Sequence, residues 1–342
     1  MAEKKRIFYL DFIRAIAVIS ILLTHYNAIF VYMWDESALK KVVLTWKVAN
    51  LYIGDFGVSL FFIISGAALM SVYSKKLEIK TFYLKRFWNI YPMFWIAYLA
   101  AFLYSFWVNR GIDPAIPKRN MLLSVIGMDG YLSGVVPTFY QVGEWFLGFI
   151  IIFYLIFPLL KMGVDKRPVL TAVVIGGMYV ILNLYYPFTF NKSIFLLTRL
   201  PEICFGMYFV KYIKKTNGWM AILSLIVFVF NTIAQPSIDK DIQTTYVGIA
   251  SFILLSFIAG FINASFIKKI CFILSKYSYA IFLVHHYIIT VVTSKFDLYN
   301  ISVVQSYLLF ILCCCIIALF SKGLYELNEY CLKQTKLRKK KC

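Results

Sequence analysis

The chain alternates between long apolar stretches and short polar links. Apolar segments fall at about 7–32, 50–73, 87–109, 144–160, 168–187, 194–213, 219–235, 245–263, 269–293 and 302–322. Most approach or exceed the roughly 20 residues a helix needs to cross a hydrocarbon core of ~30 Å. In lipid each segment must satisfy its own backbone N–H and C=O groups, which favours helices throughout. The pattern predicts an all-α, polytopic integral membrane bundle of about ten transmembrane helices. The stretch 120–143 departs from it, being mildly apolar but interrupted by Gly127, Gly130, Gly134 and Pro137. It predicts a re-entrant or surface segment rather than a further crossing.

Composition agrees. Of 342 residues, 61% are hydrophobic, and the mean hydropathy of +0.77 excludes an ordinary soluble domain. The chain divides into one membrane domain, 1–332, and a basic tail, 333–342, with no linker or second soluble domain. The first apolar stretch is too long for a signal peptide and lacks a small-x-small cleavage site, so it reads as a retained first helix. The seven cysteines have neither CxxC nor Cys/His spacing, so no metal is expected.

The net charge of +19 raises nucleic acid as a partner, but the basic residues lie in short links and form no RNA-binding motif. Ten crossings place Lys4, Lys5, Arg6, Lys75, Lys76, Lys80, Lys85, Arg86, Lys161, Lys166, Arg167, Lys211, Lys214, Lys215, Lys268, Lys269, Lys322 and the basic tail on one side. The other side holds Lys40, Lys41, Lys47, Arg110, Lys118, Arg119, Lys192, Lys240 and Lys295. The excess marks the cytosol, so both termini are expected there, with lipids rather than nucleic acid as the charge partner.

Against this greasy background three ionisable residues stand inside the first segment: Asp11, Arg14 and His25. A charge at the centre of a membrane helix costs roughly 2.5–3.5 kcal/mol on insertion scales, so such groups mark function by default. At about 100° and ~1.5 Å per residue, Arg14 and His25 share a face about 16 Å apart, with Asp11 about 60° from Arg14. Histidine suits proton abstraction near neutral pH. Arg14 suits an anion or Asp11, and an Asp11–Arg14 pair at i,i+3 would also stabilise the helix with no ligand. Lys85 and Arg86, among aromatics, suit either positive-inside anchoring or a clamp for a phosphorylated donor. Arg199 and Glu202 stand at i,i+3 and suit an internal ion pair or acceptor binding. Glu144 and His285 are weaker candidates for acceptor binding, and His286 points about 100° from His285 and is judged apart.

Several of these residues lie in motifs that resemble the membrane-bound acyltransferase-3 family. Asp11-Phe12-Ile13-Arg14 with ten residues before His25, then Gly57-Val58-Ser59-Leu60-Phe61-Phe62-Ile63-Ile64-Ser65-Gly66, are similar to its first two motifs. The aromatic-basic run ending in Tyr91-Pro92, Trp145-Phe146-Leu147 with Phe157-Pro158, Arg199-Leu200-Pro201-Glu202 with Gly206, and Ser278-Tyr279 with Phe282-Leu283-Val284-His285 follow in order. Six ordered matches through nearly the whole chain make the resemblance specific.

The resemblance implies transfer of an acyl group, usually acetyl from acetyl-CoA, onto a hydroxyl of a cell-surface carbohydrate. It implies Arg14 and His25 as the essential pair and Lys85–Arg86 in a donor-binding region; beside that implication, Asp11 is expected to orient Arg14. It further implies the cytoplasmic membrane of a bacterium, with glycan-synthesis machinery or a second copy of the chain as partners. Two departures stand out. Ser59 replaces an Asp found in many members, and many members carry a fused lipase-like hydrolase domain whereas this sequence stops at Cys342. Transfer is then expected within the membrane domain or by hand-over to a separate partner. The rival class is a transporter or flippase of a glycan or small metabolite, using the same polar track.

Overall fold

The computed structural model describes residues 7–339, with the side chains of 335–339 left out. Lys4, Lys5 and Arg6, counted above as cytosolic, and Lys340, Lys341 and Cys342 of the tail lie outside the described residues. The helices are α1 (Phe8–Val31), α2 (Glu36–Leu39), α3 (Ile53–Val72), α4 (Ile79–Asn109), α5 (Met121–Val125), α6 (Asp129–Leu132) and α7 (Glu144–Lys166). They continue as α8 (Pro168–Leu184), α9 (Leu200–Tyr208), α10 (Gly218–Ala234), α11 (Lys240–Ala259), α12 (Ser265–Thr293) and α13 (Val303–Lys339). Two short strands, β1 (Lys47–Val48) and β2 (Leu51–Tyr52), form an antiparallel hairpin.

A helical segment stands at each of the ten predicted positions. Among the described residues, α1, α3, α4, α7, α11 and α13 are long and apolar enough to cross a membrane, while α8 and α10 are apolar but shorter. The sixth predicted segment is composite rather than one helix. A 3₁₀ turn at Leu196–Arg199 leads into α9, which ends in a π turn at Phe209–Ile213. Pro201 occupies the first turn of α9, where its missing N–H has no partner to lose. α12 carries Lys268, Lys269 and Lys276 along its length, which dilutes its apolar character. α13 runs past the predicted span and through the start of the basic tail to Lys339.

Two compact units divide the chain. The first comprises residues up to Tyr32, Val42–Leu77 and Ile156–Ser278. Its core joins Leu10, Ile13 and Ala17 of α1 with Phe56, Leu60 and Ile63 of α3 and Phe252 of α11. α3 and α9 approach closely enough that two glycines are obligatory: a Cβ on Gly66 would strike the carbonyl oxygen of Ile203, and one on Gly206 that of Ile63. Such small-residue contacts let membrane helices pack backbone to backbone. Gly66→Ala or Gly206→Ala is therefore expected to lower the thermal midpoint in detergent, an overpacking cost of about 1–3 kcal/mol. Gly176→Ala, whose Cβ meets nothing within 4 Å, serves as the neutral control.

The hairpin turns through Ala49 and Asn50, both at positive φ (48° and 61°), as two-residue hairpin loops require. It is locked by the fully buried Asn231 of α10, which donates to the Ala49 carbonyl and accepts from Tyr246 and Gln243 of α11.

The second unit comprises Met33–Lys41, Glu78–Leu155 and the chain from Tyr279 on. In it the stretch 120–143 holds only the short helices α5 and α6, so it makes no helical crossing. Three of its carbonyls are met by polar tips along α4. Tyr91 donates to the Ile126 carbonyl (3.0 Å), Trp95 to Val125 (2.8 Å) and Tyr98 to Phe139 (2.6 Å). Irregular backbone near lipid is tolerated where protein supplies the missing partners in this way.

Candidate active site

In the first unit, α1 places Asp11 in its first turn, buried, and Arg14 half-buried one turn later. The sequence suggests a direct i,i+3 pair. The structure adds a third group between them, the Ser275 hydroxyl of α12. Arg14 Nη1 donates to Ser275 Oγ at 2.9 Å, and Ser275 Oγ donates to Asp11 Oδ1 at 2.6 Å. A guanidinium only donates, so the hydroxyl must accept from it and send its own proton to the carboxylate.

His25 is half-buried, and its neighbours in sequence hold it in place. Thr24 donates back to Ser20 (2.7 Å), and its carbonyl accepts from Tyr52 (3.2 Å). Tyr26 is fully buried edge-on to Phe30. Asn27, also fully buried, donates to the Val43 and Thr45 carbonyls and accepts the Val43 N–H. Three successive anchors fix the backbone that carries the imidazole, the kind of support a preorganised base needs.

Arg199 and Glu202 form an ion pair, Nε to Oε2 at 3.0 Å, with side chains 3% and 0% exposed. Ser59 donates to the other carboxylate oxygen of Glu202. The Arg199 guanidinium lies over the Phe62 ring at 5.2 Å. Ser59 thus completes a buried network.

The second unit gathers the other candidates. Glu144, the first residue of α7, has φ +39°, a left-handed conformation that costs a non-glycine residue energy. Its Oε1 lies 3.4 Å from His285 Nε2 and 3.5 Å from His286 Nδ1. The two histidines, judged apart on helical spacing, both reach one carboxylate. His285 is fully buried, and its Nδ1 contacts the carbonyls of Ile281 (3.0 Å) and Phe282 (2.9 Å). Carbonyls only accept, so Nδ1 carries the proton and Nε2 faces Glu144.

Two residues of this neighbourhood escaped the sequence reading. Asp129 of α6 is buried, and burial raises its carboxyl pKa even though the Gly130 N–H donates to it at 2.9 Å. The Tyr140 phenol is pushed up by burial and then by the charges of Glu144 and Asp129. Glycine-rich irregular chain gives no periodic signal, so the segment 120–143 hides both.

Arg86 and Lys85 differ in their surroundings. The Arg86 guanidinium lies over the rings of Phe82 (5.9 Å) and Tyr154 (5.5 Å), whereas Lys85 is exposed. The aromatic pair keeps Arg86 flat and oriented.

Residues 7–322 match the acyltransferase domain that defines the acyltransferase-3 family. The chain belongs to that family. The matched region contains every candidate residue described above, from Asp11 to His286, and the acyltransferase is a multi-pass membrane protein by its run of long apolar helices. Neither a curated protein sequence nor a solved structure matches the chain.

Proposed function

We propose that this acyltransferase moves an acetyl group from acetyl-CoA, taken from the cytosol, onto a hydroxyl of a cell-surface carbohydrate. The observation that carries the reading is the arginine of α1, half-buried in an apolar helix and bonded to the Ser275 hydroxyl. Arg14 stabilises negative charge at the donor, on a phosphate or on the thioester oxygen as the carbonyl is attacked. His25 takes the proton from the acceptor hydroxyl, the oxygen bonds to the acetyl carbon, and the carbon–sulfur bond breaks. The departing sulfur then receives a proton. A covalent acetyl on His25, later passed to the acceptor, uses the same atoms in two steps.

Lys85 and Arg86 bind the phosphates of CoA. The double substitution Lys85→Ala, Arg86→Ala is expected to raise the apparent KM for acetyl-CoA about tenfold or more with kcat little changed. An unchanged donor KM would remove the clamp from the scheme. The function itself is tested with the purified protein in lipid nanodiscs, by following free CoA thiol released in the presence of a carbohydrate acceptor. Acceptor-dependent release with an ester formed on the carbohydrate supports the reading. Movement of a glycan across the bilayer of a liposome with no thiol release would support the transporter instead.

A further inference from the structure

We infer that Ser275 is the positioning residue that aims Arg14 at the acyl donor, an inference that rests on the function just proposed. Arginine on a membrane helix has a long flexible stem and tends to send its charge out to the headgroups. Here one hydroxyl from α12, itself 6% exposed, accepts from Nη1 of Arg14 while donating to Asp11. The polarity of this chain is fixed at every link. Arg14 cannot accept, and Asp11 Oδ1 receives the hydroxyl proton, so a group with both a donor and an acceptor stands between them.

Serine, threonine, asparagine, glutamine and tyrosine have that dual character, but the separations of 2.9 and 2.6 Å leave room for a single atom carrying both functions. A hydroxyl is the group that does so. Ser275 is in turn held on its helix, since its own carbonyl accepts from Ser278 at 3.0 Å. The bond from the Arg14 guanidinium is charge-assisted, the stronger kind of hydrogen bond. Losing the hydroxyl removes this link between Arg14 and Asp11.

The test compares Ser275→Ala and Ser275→Thr with the unaltered protein in nanodiscs. Ser275→Ala is expected to raise the donor KM, lower kcat or both, with a loss of about tenfold or more in kcat/KM, while Ser275→Thr keeps most of the activity. Loss by Ser275→Ala without recovery in Ser275→Thr, or an unaffected Ser275→Ala, overturns the assignment. A second measurement needs no activity. The thermal midpoints of Ser275→Ala, Arg14→Gln and the double variant form a cycle, and the two changes are expected to be strongly non-additive. Additive midpoints would sink the bridge even in a fully active enzyme. Non-additive midpoints in a protein that releases no thiol from acetyl-CoA would keep the bridge and discard the donor.

Discussion

Replacing His25 by alanine is expected to cut acetyl transfer by about 100- to 10,000-fold, the range that a positioned acid–base group supplies. The loss should fall on kcat and on kcat/KM alike, because proton removal belongs to the transition state rather than to binding. The fold should survive the change. The backbone at this point of α1 is held by Thr24, by buried Tyr26 and by Asn27 on the 43–45 loop, none of which needs the imidazole. The thermal midpoint of His25→Ala should therefore stay close to that of the unaltered protein. Free imidazole in the buffer is expected to restore part of the rate, since the truncated side chain leaves space for it. Transfer that continues undiminished in a well-folded His25→Ala protein would end the assignment. A collapse of the midpoint together with the rate would make His25 a packing residue.

Much of this architecture is legible in the chain because membrane helices are written locally. A run of about 20 apolar residues is both the signal and the cause, and a helical segment stands at each of the ten predicted positions. The composite around α9 was not legible, because a 3₁₀ turn, a helix led by Pro201 and a π turn share one apolar stretch. Asp11, Arg14 and His25 announced themselves through the cost of charge in lipid. Ser275 did not, since a single serine in an apolar helix is unremarkable until the distant chain brings it between Asp11 and Arg14. Glu144 and the two histidines show the same limit. Helical spacing separates His285 from His286 by about 100°, yet one carboxylate from another helix gathers both rings. Local pattern gives elements, and contacts across the chain give the site.

The buried Arg199–Glu202 pair should show an asymmetry that only a structural ion pair predicts. Both side chains are almost wholly buried, so removing either partner strands a charge at a cost of about 3–5 kcal/mol. Glu202→Leu should be the more damaging change. The guanidinium left behind cannot shed its proton, and it loses the carboxylate while keeping only the Phe62 ring. Arg199→Met leaves a carboxylic acid that can take up a proton and retain its bond from Ser59, so part of the cost is relieved. The double variant Arg199→Met, Glu202→Leu strands nothing, and it should recover much of the stability lost by Glu202→Leu alone. Thermal midpoints in detergent give the order directly: unaltered protein highest, Glu202→Leu lowest, the double variant above it. A role in holding the carbohydrate leads elsewhere, to a raised KM for the acceptor with midpoints that barely move. The ion pair closed by Ser59 argues for the first pattern, because a carboxylate engaged on both oxygens inside the helix packing has little left to offer a substrate.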